Sequence, residues 1–161
     1  MSPLFRKGLL IALAVILLDQ VTKLWAVADL SYATPVPVFP GFNLTLMHNP
    51  GAAFSFLGDA GGWQRWFFLA LAVGVSAWLV MWMRSLQATE RWTSLALALL
   101  IGGALGNAID RAYLGHVIDF IDLYVGGYHW PAFNIADSAI TVGAILLAIL
   151  ILRDGKNRDT E

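Results

Sequence analysis

Positions 66–83 run for eighteen residues without one charged side chain. Coiled as an α-helix at ~1.5 Å per residue, such a run covers ~27 Å, about the depth of a bilayer's hydrocarbon core. Lipid offers the backbone no hydrogen-bond partner, so a spanning segment must satisfy its own N–H and C=O groups, as a helix does. Three further apolar runs, at about 8–28, 93–112 and 135–152, have the same character. Composition agrees: 58% of the 161 residues are hydrophobic and 13% charged, against about 25% charged in soluble chains. The expectation is a mainly α membrane protein, a single integral-membrane domain over 1–161 with four transmembrane helices and extracytoplasmic loops at about 29–65 and 113–134. A net charge of -1 offers no basic surface for nucleic acid. The absence of cysteine removes disulfides, thiol nucleophiles and thiolate metal ligands.

The first run has Arg6 and Lys7 ahead of it and Ala26-Val27-Ala28 near its end, the outline of a cleaved signal peptide. Asp19 and Lys23 make that stretch too polar and too long for an ordinary cleavage region, so a first transmembrane helix is the better reading. On a helix these two residues share a face at i and i+4, with the acid N-terminal to the base, and can pair. Charges inside a span are expensive and usually face a bundle interior or a polar cavity. The pair either orients the helix or meets a ligand.

Between the first two helices Pro35, Pro37, Pro40 and Gly41 punctuate the chain, and residues 42–46 then alternate apolar and polar as a short strand. The next stretch, HNPGAAFSFLGDAGG, is a turn-rich loop in which Asn49 precedes Pro50 and Gly51. Asn49 there closes the turn on its own backbone or donates to a substrate carbonyl. The small and aromatic residues of 51–56 are suited to roof a cleft.

The stretch DFIDLYVGGYHWPAFNIAD, at 119–137, reads as a β-hairpin with Gly126-Gly127 at its turn. With those two glycines as the loop, Asp119 falls opposite Asn134, and Asp137 lies one helical turn further on. Two carboxyl groups sharing a site cannot both ionise easily, so one keeps a proton while the other is a base, the pairing an aspartic protease needs. The alternative is a solvated loop with incidental acids. Asn134 suits the N-cap of the fourth helix, and Asp137 in its first turn is favoured by the helix dipole whatever else it does.

The third helix has Gly102, Gly103 and Gly106, which permit close backbone approach. Its end carries Asn107, Asp110 and Arg111 as a polar stripe on one face. Arg111 suits the negative end of the helix dipole, whereas Asp110 opposes it unless Arg111 or Lys23 pairs with it. Basic residues fall mainly on the two tails and the second loop, with Arg65 as the clear exception, so the termini are expected in the cytoplasm and both acids at the outer membrane face.

Five motifs stand in order: LDQVTK at 18–23, HNPGAAFS at 48–55, GNAIDR at 106–111, HVIDF at 116–120 and FNIADS at 133–138. Over nearly the whole chain they resemble the bacterial lipoprotein signal peptidases, the signal peptidase II family. The resemblance implies an inner-membrane aspartic endopeptidase, multi-pass, with small β-hairpin or sheet elements at the periplasmic surface. It implies cleavage of the signal peptide of a prolipoprotein just before the diacylglyceryl-modified cysteine, with Asp119 and Asp137 as the catalytic pair and an activated water. It further implies Asn49 and Arg111 at the substrate-binding or inhibitor-binding surface, with Gly51, Asp19, Lys23, Asn107, Asp110, Asn134 and Ala136 in support. The implied partners are diacylglyceryl prolipoproteins and membrane lipid, with globomycin as the inhibitor seated between the two aspartates; neither a metal nor a cofactor is implied.

Two other readings fit parts of the sequence. Intramembrane Asp, Lys and Arg also mark ion paths, although no internal repeat supports a transporter here. His116, Asp119 and His129 are residue types that hold a catalytic metal.

Overall fold

The computed structural model describes residues 1–51 and 62–158, with side chains as far as Arg153. Helix α1 spans Pro3–Asp29, α2 Trp63–Ser85, α3 Arg91–Tyr113 and α4 Ile135–Arg158. Each is long and apolar enough to cross a membrane. The ends overrun the purely apolar runs because local chemistry extends them. At the start of α1, for example, the Ser2 hydroxyl accepts from the Phe5 N–H at 3.1 Å and Pro3 opens the first turn. The Asp19–Lys23 segment lies inside one unbroken helix, as the transmembrane reading requires.

Helix α3 is the hub. It packs on α1, α2 and α4, whereas α1 and α2 touch each other little. It is correspondingly the most enclosed of the four, while the outer faces of the others present leucine, valine, isoleucine and tryptophan, as lipid-facing helices must. Glycines make that centre possible. A Cβ on Gly106 would stand 2.8 Å from Asp19 Oδ2 and 3.3 Å from the Ala136 Cβ, and one on Gly103 would meet the Ala136 carbonyl oxygen. Small residues here let backbones approach closely where lipid supplies little hydrophobic drive between helices.

At one end of the helices sits a four-stranded antiparallel sheet in the order β1-β2-β3-β4, from β1 (Val36–Phe39), β2 (Phe42–Asn49), β3 (Val117–Val125) and β4 (Tyr128–His129). Three strands depart from the sequence expectation. The proline-punctuated segment forms β1; Pro37 is tolerated because β1 is an exposed edge strand, where a missing N–H costs no ladder bond. β2 does not stop at residue 46 but continues through Asn49, so His48 and Asn49 are strand residues pairing with Ile118 and Val117. The return arm of the hairpin is only two residues long. Tyr124 pairs with His129 and Val125 with Tyr128 as the glycine turn predicts, but Ile121 then bridges to Phe133, one residue out of that register. Pro131 in between has no N–H to continue the ladder.

β3 is thus a central strand, and Asp119 pairs across the sheet with Met47. A register shift between Leu44 and Met47 puts a bulge in β2 beside that position, a common device for re-aiming side chains near a site. Arg65, read from sequence as an exposed loop base, lies in the first turn of α2 and donates to the Ala112 carbonyl at the end of α3 at 2.6 Å.

Candidate active site

Asp119 comes from the sheet and Asp137 from a helix, and one asparagine joins them. Asn134, fully buried, donates from Nδ2 to Asp119 Oδ1 at 2.8 Å. Its Oδ1 accepts from the Asp137 N–H at 2.9 Å, while Asp137 Oδ2 accepts from the Asn134 N–H at 3.2 Å. That reciprocal pair is a capping box. It fixes the Asp137 side chain and starts α4, leaving the side-chain Nδ2 to hold the second acid along with Asn107 and the Ile118 carbonyl. The two readings of Asp137, a stabilised first-turn acid and a site residue, are therefore compatible.

Both carboxylates open on one cleft of about 810 Å³. One side is formed by Asn49, Asn107 and Arg111, and another by Ile140, Thr141 and Val142 of α4. Asp119 is 2% exposed. Burial, the first cause, and then the neighbouring Asp137 push its carboxyl up to about 7, against the opposing hydrogen bonds of Asn49 and Asn134 and the charge of Lys23. Near neutral pH such a group shares its proton readily, which acid–base chemistry requires.

The second layer explains the sequence's intramembrane charges. Lys23 Nζ lies 2.8 Å from Asp19 Oδ2, 2.8 Å from Asp110 Oδ2 and 2.8 Å from Asn107 Oδ1. One buried ammonium thus pairs with two buried carboxylates, whose other bonds come from Gln20 and the backbone, and such pairing with hydrogen bonds is what makes buried charge tolerable. Asp19 Oδ1 accepts from the Ala136 N–H at 2.9 Å, satisfying a further orphan donor at the start of α4. Asp110 Oδ2 accepts from the Ile118 N–H at 3.1 Å, immediately before Asp119 in the chain. Asn107 donates to Asp137 Oδ1 at 2.7 Å. Lys23, not Arg111, is the partner that makes Asp110 acceptable at the end of α3.

Arg111 donates through Nη2 to the Gly51 carbonyl at 2.7 Å and stacks over Phe68, 5.1 Å from the ring centroid. Its Nε has no hydrogen-bond partner among the described residues. Asn49 closes its turn as expected, Oδ1 accepting from the Gly51 N–H at 3.1 Å, and its Nδ2 donates to Asp119 Oδ2 at 3.1 Å. Most of the expected roof, positions 52–56, lies outside the described residues.

Gln20 was not singled out from sequence. It donates to Asp110 Oδ1 at 2.8 Å and to the Gly106 carbonyl at 3.2 Å; the neighbouring Asp19 was the available signal. Nor was Asp122, buried on the opposite face of β3. The residues of the metal reading do not converge. His129 bonds Asp122 at 2.7 Å, His116 stacks on His48 at 4.2 Å, and among the described residues no three His, Cys, Asp or Glu side chains gather as a metal site.

Comparison with known proteins agrees with this architecture. Residues 11–153 match the family described as signal peptidase (SPase) II. The lipoprotein signal peptidase of Xylella fastidiosa (strain M12) is 53% identical over 150 residues, covering 92% of this chain and 90% of that protein. The lipoprotein signal peptidase of Cupriavidus taiwanensis is 56% identical over 142 residues, covering 88% and 80%. A bacterial membrane enzyme solved by the in meso method at 2.3 Å resolution superposes with a TM-score of 0.85 at 38% identity, covering 94% of this chain and 90% of that one.

Proposed function

The chain belongs to the signal peptidase II family, and from that premise we propose that it is an aspartic endopeptidase cutting prolipoproteins immediately before the diacylglyceryl-modified cysteine. Asp119 and Asp137 are the catalytic pair in this reading. The observation that carries it is the joining of the buried Asp119 and the part-buried Asp137 carboxylates through the single residue Asn134 at the wall of one cleft.

A water held between the carboxyls is the nucleophile. Asp137, at the positive end of the α4 dipole, carries the charge and takes the water's proton as its oxygen attacks the scissile carbonyl. Asp119 keeps the resting proton and hydrogen-bonds the carbonyl oxygen as charge develops there. Collapse breaks the C–N bond, and the proton taken from water goes to the leaving amine. Each acid–base step is worth about 10² to 10⁴-fold, so positioning and electrostatic stabilisation must supply much of the rest. Arg111, which lines the cleft with Asn49, is the available donor for the substrate backbone or the developing oxyanion.

The lipid of the substrate fits the helix wall. Ser138 and Thr141 line the cleft, but their hydroxyls donate to the Asn134 and Asp137 carbonyls at 2.9 and 2.8 Å. With Ile140 and Val142 they leave a largely apolar surface, on which acyl chains remain in the bilayer while the scissile bond reaches the acids. The charge bias of the loops supports cytoplasmic termini in a bacterial inner membrane, with the dyad at the periplasmic side. An inhibitor such as globomycin would occupy the same space between the aspartates.

The test is cleavage of a purified diacylglyceryl prolipoprotein in detergent, with a chelator present, by wild type, Asp119→Asn and Asp137→Asn. Cleavage by wild type alone, with both variants folded, is expected. Normal turnover by either folded variant would overturn the dyad.

A further inference from the structure

Asp122 is a buried carboxylate that the proposed chemistry does not use. It stands three residues after Asp119 on β3 and faces the other side of the sheet. Oδ2 accepts from Asn43 Nδ2 at 3.1 Å and from Thr45 Oγ1 at 2.9 Å, both on β2. Oδ1 bonds His129 Nδ1 of β4 at 2.7 Å. Burial alone would raise this carboxyl, but the hydrogen bonds of His129, Asn43 and Thr45 outweigh it and hold it below the ordinary carboxylate value. An ionised carboxylate only accepts, so Nδ1 is the donor. One side chain therefore ties three strands together.

The segment after His129 matters to the cleft. Trp130, Pro131, Ala132 and Phe133 form part of its lining, and the chain then passes into Asn134 and α4. Backbone hydrogen bonds hold that wall at its two ends, at Trp130 and at Phe133. β4 is two residues long, Trp130 donates to the Leu123 carbonyl at 2.8 Å, Phe133 exchanges bonds with Ile121, and Pro131 has no N–H to give. The His129 ring also stacks on Tyr124 at 5.1 Å.

We propose that Asp122 and His129 form a clasp that positions the Trp130–Phe133 wall against the substrate, making them positioning residues for cleavage. The clasp acts on the shape of the seat, whereas Asn134 and Asp137 are held separately by Asn107 and Ile118. Its effect therefore falls on substrate binding more than on turnover. This rests on the endopeptidase reading, whose failure is distinguishable because wild type would then cleave nothing.

The experiment compares wild type, His129→Ala and His129→Asn in cleavage of diacylglyceryl prolipoprotein, together with amide hydrogen exchange of the same proteins without substrate. Loss of a hydrogen bond to a charged group predicts a KM about tenfold higher in His129→Ala with kcat nearly unchanged. An asparagine amide placed where Nδ1 stood restores KM in His129→Asn. The Trp130 and Phe133 amides lose protection in the alanine variant and keep it in the asparagine variant. A fall in kcat at constant KM, or unchanged exchange at Trp130 and Phe133 in His129→Ala, overturns the clasp, and the exchange outcome decides even without activity.

Discussion

Asn107 donates to Asp137 at 2.7 Å through Nδ2 while its Oδ1 accepts from Lys23 at 2.8 Å. One amide thus links the intramembrane ammonium to one acid of the candidate dyad. Replacing it by leucine removes both partners' contact and leaves the buried Lys23 and the part-buried Asp137 each short of a hydrogen bond. Asn107→Leu is expected to lose about 10²-fold in kcat through misplacement of Asp137. It is also expected to lose about 1–3 kcal/mol of stability. Kinetics and thermal unfolding in detergent check the two effects separately.

Asp119 sets the pH response. Its folded value of about 7 lies above the ordinary 3.8, so between those values the folded protein binds more protons than the unfolded one. Its contribution to stability is greatest below the unfolded value and declines as pH rises toward 7. Activity that needs its proton declines as pH rises through the same upper limit. Unfolding measured from pH 4 to 8 should show this slope in wild type and lose it in Asp119→Asn; an identical slope in both would remove Asp119 as its source.

Lys23→Met tests the charge compensation. The methionine fills similar volume but leaves Asp19 and Asp110 buried without their cation. Breaking a buried pair in this way costs about 3–5 kcal/mol. Thermal unfolding of the Met variant should fall steeply, and the double variant Lys23→Met with Asp110→Asn should recover part of the loss.

Gly106→Ala tests the helix approach. The added methyl would stand 2.8 Å from Asp19 Oδ2, so α1 or α4 must move, at a cost of about 1–3 kcal/mol for overpacking. Displacement of Asp19 would also release the Ala136 N–H it accepts from. Reduced thermal stability together with reduced cleavage is the expected result.

Several of these relationships are legible in the sequence. Asp19 and Lys23 pair because i,i+4 spacing sets them side by side on one helix face. Asn134 reaches Asp119 because the Gly126-Gly127 turn fixes the start of the hairpin. The exact register did not carry through, since Pro131 broke the ladder and the side chain of Asn134, rather than strand pairing, made the final contact. The β2–β3 pairing was hidden because nothing local records which distant strand a segment will meet. β1 was hidden by its prolines. Gln20 and Asp122 were overlooked because their meaning depends on partners far away in sequence, Asp110 and Gly106 for one, Asn43 and Thr45 for the other.

One acid rides on the sheet and the other on a helix, and the groups that join them come from elsewhere again. Neither element brings the acids together alone, so the proposed hydrolytic competence belongs to the assembled molecule and to no single piece of it.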